Sequence, residues 1–330
     1  MKRKQLDILY RNRFDRIKTV REWIVHYVPI MHTPKIINDG ISAKKREIIV
    51  PTVKEHVVQH AVMNILKPIL MKPMYQHSYS SIPGRGCHKG MKIVKRWIAK
   101  GGADIKYCLK MDIKQFFQSI NVSILLNKIN RIIKDEKFNV LLLQILSTAK
   151  GLPLGFYTSQ WFSNFYLTEF DHFIKEKLRI KYYIRYADDI VIFNSNKHIL
   201  HRMFEVIREY LKTKLDLNVK ENWEIFRFHT KTNKGRFLDF MGFRFYRNRT
   251  TIRRRIAIKA MRKAKRIHKK QIPTICDARQ MLSYLGWTKV TNTYIWFQNY
   301  ILAYVNIKQL RKIVSLYDKR RYYNEYVATV

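Results

Sequence analysis

The chain has 330 residues, of which 65 are Lys or Arg and 24 are Asp or Glu, giving a formal charge of +41 at pH 7. With 47% hydrophobic and 13% aromatic residues, it has enough apolar material for a core spread over two or three subdomains, which excludes a disordered basic tail. A folded chain this basic repels itself unless a polyanion binds it, so nucleic acid is the first expected partner and an anionic membrane surface the second.

Residues 1–40 read as two short helices with a basic face, ending near "HTPKIINDG". Their start, "MKRKQLDILYRNRF", lacks a signal-peptide core, and no apolar run approaches the roughly 18–20 residues of a membrane span. Thr52 to Leu70 has the spacing of an amphipathic helix with Val53, Val57, Val58, Ala61, Ile65 and Leu66 inward. Within it, His56 and His60 have metal-compatible spacing but lack the Glu of a zincin, and read as a plain helix face. The Gly/Ser/Arg loop "HSYSSIPGRGCHKG" precedes a helix at "MKIVKRWIAK" and a buried strand at "YCLKMDI". Helices follow over Val122 to Ser147 with a break near Lys134 to Lys137. "KGLPLGF" is a turn, where Gly151 and Gly155 permit tight backbone and Thr158 or Ser159 supplies a helix cap. "TSQWFSNFYLTEFDHFIKEKL" reads as one long helix buried on its Trp161, Phe165 and Thr168 side. A strand–turn–strand surrounds "YADD", then come a helix from His198 to Lys214 and strands near Trp223 to His229 and Phe237 to Tyr246. From Thr250, "TIRRRIAIKAMRKAKRIHKKQ" is a basic helix with Ile256, Ala260, Ala264 and Ile267 packed and Arg253, Lys263, Arg266 and Lys270 facing out. Three helical segments rich in Tyr and Trp end the chain, with Tyr284, Trp287, Tyr294 and Trp296 read first as core and second as base-stacking groups. Helices interrupted by strand pairs, without regular βαβ alternation, predict an α+β fold. Cys87, Cys108 and Cys276 are widely separated and odd in number, which fits neither a disulfide framework nor a zinc site and leads to the expectation of a reducing cytoplasm.

Asp188 and Asp189 sit side by side inside the apolar run "YYIRYADDIVIF". Asp112 ends the earlier strand, so Asp112 and Asp188 are expected to meet on neighbouring strands of one sheet. Carboxylates brought that close need a cation between them. Hard oxygen donors select Mg²⁺, and two such ions about 3.5–4 Å apart serve nucleotidyl transfer. The plainer alternative is that "ADD" caps a surface turn.

Over about residues 41 to 310 the ordered motifs resemble a bacterial, non-LTR-like reverse transcriptase. "REIIVPTVKEHVVQHAV" and "SYSSIPGRGCHKG" resemble the fingers motifs, "LKMDIKQFFQSI" palm motif A, "GLPLGFYTSQ" motif B, "YADD" motif C, "LNVKENW" motif D and "FLDFMGFRF" the primer grip. The resemblance implies a right-hand polymerase: an N-terminal helical extension at 1–40, fingers at 41–111, a palm at 112–248 with a fingers insertion at about 122–150, and a helical thumb at 249–330. It implies that Asp112 and Asp188 ligate two Mg²⁺ ions, with Mn²⁺ as the alternative, that Asp189 positions or joins the pair, and that the Ile113 carbonyl completes the triphosphate-side site. Phe117 falls at the steric-gate position, where an aromatic ring excludes a ribose 2′-OH and favours dNTPs. Lys220 matches the lysine proposed to protonate the leaving pyrophosphate. Arg46 and Arg85 would bracket the triphosphate, Phe240, Met241 and Gly242 would form the primer grip, and Arg253, Lys263, Arg266 and Lys270 would contact an RNA–DNA duplex.

Gln160 stands where most relatives carry Pro, and the form "GFYTSQ" resembles reverse transcriptases of diversity-generating retroelements, with defence-associated enzymes as the alternative. Such enzymes imply template RNA, dNTPs and a small basic accessory protein or structured noncoding RNA as partners, for a bacterial or phage-encoded protein of the cytoplasm and without a membrane. No endonuclease or maturase pattern follows the thumb segment, the retron-type "VTG" is missing, and no RNase H or protease region is found, so neither a complete intron protein, a retron enzyme nor a retroviral polyprotein piece is expected. An idle RNA-binding module that kept the fold is the remaining alternative.

Overall fold

In the computed structural model, residues 13–38, 45–230, 232, 234–270 and 272–327 are described. These described residues fall into two compact units, one within residues 13–93 and 100–227, the other within residues 94–99 and 228–327.

The first unit is built round a four-stranded antiparallel sheet of β3 (Tyr107–Asp112), β4 (Tyr182–Tyr186), β5 (Asp189–Asn194) and β6 (Glu224–Arg227), in the order β4-β5-β3-β6. Ahead of it lie α1 (Arg13–Val25), the hairpin β1 (Lys35–Asn38) with β2 (Lys45–Ile48), α2 (Val53–Met71) and α3 (Cys87–Lys100), whose residues 94–99 belong to the second unit. One helix of the expected N-terminal pair is therefore α1, while residues 1–12 lie outside the described residues. Lys35–Asn38, expected to close a helical segment, is instead extended and pairs with Lys45–Ile48.

Helix α2 forms where expected, but its buried face is offset. Glu55, Val58, Gln59, Val62, Met63, Leu66 and Leu70 point inward, and Ile65 is 59% exposed. The reason is that two polar side chains have buried work to do. Glu55 closes a capping box with Thr52 and receives His32, with both carboxylate oxygens within 2.8 Å of Nε2. Gln59 Oε1 accepts the Tyr157 amide at 2.8 Å. That bond meets the first free N–H of α7 (Tyr157–Tyr166), whose own N-cap Phe156 offers no side-chain bond. The expected cap by Thr158 or Ser159 does not form; Ser159 Oγ turns back to the Pro153 carbonyl at 2.7 Å.

Between β3 and β4 lie α4 (Phe116–Ser119), α5 (Val122–Asn130) and α6 (Glu136–Leu146), with Asn121 and Asp135 capping the latter two. The single long helix expected beyond Thr158 is broken at Leu167 into α7, α8 (Thr168–His172) and a π-turn at Phe173–Lys177. Its burial is nearly all-round, with Phe162, Tyr166 and Phe170 at 0% exposure, rather than one-sided. Across the sheet, α9 (Lys197–Leu215) starts at Asn196, whose side chain accepts from the His198 and Ile199 amides, and ends at left-handed Asp216. Its Leu200, Phe204, Ile207, Leu211 and Leu215 recur every three or four residues and are at most 1% exposed. Each contributes about 1.5–3 kcal/mol of apolar burial, so this helix fixes one face of the sheet that carries the acids.

In the second unit, Phe237 to Tyr246 is two strands and not one. The strands β7 (Leu238–Phe240) and β8 (Phe243–Phe245) fold back at Met241 and Gly242, φ +51° and +86°, and β9 (Thr250–Ile252) completes a three-stranded sheet. Thr250 thus begins a strand, and the basic helix α10 starts at Arg254 and runs to His268. Its buried stripe is Ile256, Ala260, Ala264 and Ile267, as its spacing predicts. The rest of the unit comprises α11 (Ile275–Thr288), α12 (Tyr294–Phe297) and α13 (Ile307–Val327). No helix among the described residues is long and apolar enough to cross a membrane.

Candidate active site at the carboxylate turn

Alternation in two apolar strands brings the acids together. Strands β3 and β5 pair antiparallel, with Asp112 opposite Asp189, and β4 pairs with β5 through Tyr186 opposite Asp189. Ala187 and Asp188 are therefore the two residues of a tight hairpin loop, with Ala187 at φ +54°. The Ile113 amide donates to the Asp188 carbonyl at 3.2 Å, tying the loop to the end of β3. Asp112, Asp188 and Asp189 are all only partly buried, so the acids form an open floor rather than a sealed pair.

Lys220 enters from the segment after α9. Its amide donates to the Asp112 carbonyl at 2.8 Å, and its Nζ lies 3.0 Å from Asp112 Oδ1 and 3.8 Å from Asp188 Oδ2. One ammonium thus spans the two carboxylates. Burial, and then the charge of Asp112, push the Asp188 carboxyl above its ordinary pKa, with Lys220 and Arg46 pulling the other way. The donor set suits a hard divalent cation: two carboxylates close enough to share one positive charge, on strands whose register fixes their spacing. Among the described residues no group of three or more His, Cys, Asp or Glu side chains is placed to hold a metal; the candidate site is a pair of carboxylates with backbone oxygen. His56 and His60 are exposed neighbours with ring centroids 5.5 Å apart, and His60 stacks on Tyr157 at 4.1 Å.

Arg46, on β2, is exposed and near enough to Asp188 to favour its ionised form. Arg85 follows left-handed Gly84, and its Nη1 donates to the Tyr75 carbonyl at 2.6 Å, so part of its charge holds its own loop. Phe117 is partly buried beside Phe116, ring centroids 5.6 Å apart, and its carbonyl accepts the Leu152 amide at 2.7 Å. That bond docks the "GLPLGF" turn on the segment after Asp112. Gln160 is exposed on the first turn of α7.

The second unit treats its expected residues differently. Phe240 and Met241 are buried, and the Gly242 carbonyl accepts the Arg253 amide at 2.8 Å, so this hairpin offers backbone rather than side chains. Of the four basic residues read as facing out, Lys263 and Lys270 converge on buried Asp277, at 2.7 and 2.6 Å, and Arg253 pairs with Asp239 at 2.5 Å. Helix α11 presents Asp277 in a capping box with Thr274, which draws Lys263 inward, while Lys270 reaches it from an exposed position. Arg266 stays exposed, alongside Arg255, Arg262 and Lys269. Trp287 is partly buried and packs on Phe243, ring centroids 5.0 Å apart, whereas Tyr294 is 67% exposed.

One group escaped the sequence reading. Arg185, in the middle of β4, is 1% exposed and bound to equally buried Asp171. The available signal was an Arg amid apolar strand residues, with no local partner to explain it.

Sheet and helices together have the α+β fold of right-hand polymerases. The apo telomerase of Candida tropicalis superposes with a TM-score of 0.54 at 13% identity, over 83% of this chain and 58% of that one, a likeness of fold. In sequence, residues 36–245 match the reverse transcriptase (RNA-dependent DNA polymerase) family, and the chain belongs to it. It is 31% identical over 178 residues to the group II intron-encoded protein LtrA of Lactococcus lactis subsp. cremoris, covering 49% of this chain and 29% of that protein. It is 27% identical over 201 residues to the retron Ec73 reverse transcriptase of Escherichia coli, covering 56% and 61%. The chain thus spans less than two thirds of the length of either relative.

Proposed function

We propose that the protein is an RNA-directed DNA polymerase that extends a primer with dNTPs on an RNA template. The observation that carries this is the register of β3, β4 and β5, which sets Asp112 beside the Asp188 turn with the Lys220 ammonium spanning both. Reverse transcriptases generally use divalent ions, and here Asp112, Asp188 and the Ile113 carbonyl would hold two Mg²⁺, with Asp189 positioning the turn. When bound, such ions would lower the pKa of the attacking 3′-hydroxyl and offset charge on the leaving pyrophosphate. Lys220 Nζ, already at the carboxylates, is placed to hand a proton to that leaving group. Arg46 and Arg85 bind the triphosphate, Phe117 rejects the ribose 2′-OH, and Gln160 lies at the nucleotide.

Residues 41–111 act as fingers, 112–248 as palm with an insertion at about 122–150, and 249–330 as thumb, after an extension at 1–40. The thumb contribution to duplex binding shifts to the exposed face of α10, Arg266 with its exposed neighbours, since Lys263 and Lys270 are committed to Asp277. The hairpin of Phe240, Met241 and Gly242 grips the primer through its backbone. The motif B form that includes Gln160 supports a role in a diversity-generating retroelement, with mutagenic cDNA synthesis in the cytoplasm, template RNA and a small basic accessory protein.

Extension assays on an RNA template, with dNTPs and then NTPs, test the activity: dNTP-dependent products support it, and products with NTPs alone contradict it. The DNA flanking the gene tests the role. A near-identical repeat pair differing at adenines supports the retroelement, and a structured RNA without repeats replaces it with a defence enzyme.

A further inference from the structure

A guanidinium buried in the centre of a strand is costly unless its N–H groups are satisfied. Arg185 meets this with more than an ion pair. Its Nε and Nη2 form a bidentate pair with Asp171, at 2.9 and 2.6 Å, and Asp171 also accepts from the Tyr183 hydroxyl at 2.5 Å. The remaining arm, Nη1, leaves Asp171 and donates to the Ala187 carbonyl at 3.1 Å and to Asn164 Oδ1 at 3.3 Å. Ala187 is the left-handed residue immediately before Asp188, a conformation that L residues rarely adopt and that persists only where surroundings hold it.

Asn164 is itself 2% exposed and fully used. Its amide nitrogen donates to the carbonyls of Gln160, at 3.0 Å, and Ser80, at 2.9 Å, while Ser78 Oγ donates to its Oδ1 at 3.4 Å. The strand backbone closes the same network: the Arg185 amide donates to the His77 carbonyl at 3.1 Å, and the Tyr79 amide to the Arg185 carbonyl at 3.0 Å. Two bonded side chains, Arg185 and Asn164, therefore join the loop at residues 77–80, the first turn of α7 that carries Gln160, and the hairpin that carries Asp188.

We propose that Arg185 is the positioning residue of the carboxylate turn, holding Ala187 in its left-handed conformation so that Asp188 faces Asp112, and coupling that geometry through Asn164 to the Gln160 turn. This rests on the proposed metal role of Asp188. Arg185 touches no substrate and acts through the Ala187 carbonyl. Asp171 supplies the counter-charge that permits a guanidinium there.

Two variants separate positioning from folding. Arg185→Lys keeps a positive charge beside Asp171, but one ammonium cannot meet Asp171, Asn164 and Ala187 together. The triple variant Arg185→Met, Asp171→Leu, Tyr183→Phe replaces the buried pair with apolar groups, an exchange that folded proteins tolerate. Hydrogen exchange at the Ile113 amide, which is bonded to the Asp188 carbonyl, reports the turn directly, and Mn²⁺ titration followed by electron paramagnetic resonance reports the carboxylates. In whichever variant unfolds cooperatively, Ile113 should exchange faster and Mn²⁺ affinity should fall by about 10- to 100-fold, the usual effect of removing an outer support from a metal site. Adding Ala187→Gly to Arg185→Lys, which removes the cost of the left-handed residue, should restore part of that affinity. Wild-type Ile113 protection and wild-type Mn²⁺ affinity in a folded variant would overturn the assignment, as would the absence of rescue by Ala187→Gly. If the wild-type protein neither binds Mn²⁺ nor extends primers, the polymerase reading fails, while Ile113 exchange still decides whether Arg185 holds the turn.

Discussion

Substituting Gly151→Ala attacks the place where the "GLPLGF" turn meets the segment after Asp112. Gly151 has φ +70°, and a Cβ built there would collide with the Gln118 carbonyl oxygen and lie 2.6 Å from that of Phe117. Both obstacles are backbone, so neither can swing aside as a flexible side chain would. The left-handed conformation costs an L residue about 1–2 kcal/mol. Moving the Phe117 carbonyl loses its 2.7 Å bond from the Leu152 amide, a net of about 0.5–1.5 kcal/mol. The expected destabilisation is roughly 2–3 kcal/mol, or about 4–12 °C in melting temperature for a unit of this size. Thermal unfolding followed by circular dichroism, with the exposed Lys150→Ala as the control expected within about 0.5 kcal/mol of wild type, measures it. A Gly151→Ala protein that melts with the wild type would refute the close approach of the two segments.

Three further outcomes are expected. Phe117→Ala should raise ribonucleotide incorporation relative to dNTPs in primer extension, and unchanged sugar selectivity would remove the steric-gate role. Lys220→Met takes away the ammonium between Asp112 and Asp188, so the variant should melt below wild type in chelator and close the gap when Mg²⁺ is added; a gap indifferent to Mg²⁺ would contradict the shared-cation geometry. Lys263, then Lys270, hold the Asp277 carboxyl well below its ordinary range. A carboxylate depressed in the folded state stabilises above its unfolded pKa of about 3.9 and loses that contribution as pH falls below it. Asp277→Asn should therefore lower stability at pH 7 and narrow the difference from wild type on acidification, and a difference that is constant from pH 7 to pH 2 would refute the pairing.

The meeting of the carboxylates was legible because it depends on local pattern: two apolar strands, each with acid at one end, and a two-residue break between Tyr186 and Asp189 that alternation alone can register. The basic helix was legible for the same reason, its packed residues returning every three or four positions. What escaped were features whose cause lies far along the chain. Gln59 caps a helix 98 residues away, so its burial has no signal in its own amphipathic pattern. Lys263 reads as solvent-facing until Asp277 is packed beside it, and Lys270, though exposed, gives no sign of the same partner. Met241 takes a positive φ that the apolar run "FLDFMGFRF" conceals, because an L residue other than Asn or Asp seldom opens such a hairpin. Arg185 was hidden in the very stretch that revealed Asp188, since strand alternation assigns a side chain to a face but not a partner to a buried charge.

The most direct test of the account is Mg²⁺-dependent extension of a DNA primer on an RNA template by the wild-type protein, Asp112→Ala and Asp188→Ala, each shown to be folded. Full extension by wild type and loss of product in both variants is the predicted result. Equal extension by wild type and Asp188→Ala would contradict the claim that this carboxylate turn is the polymerase centre.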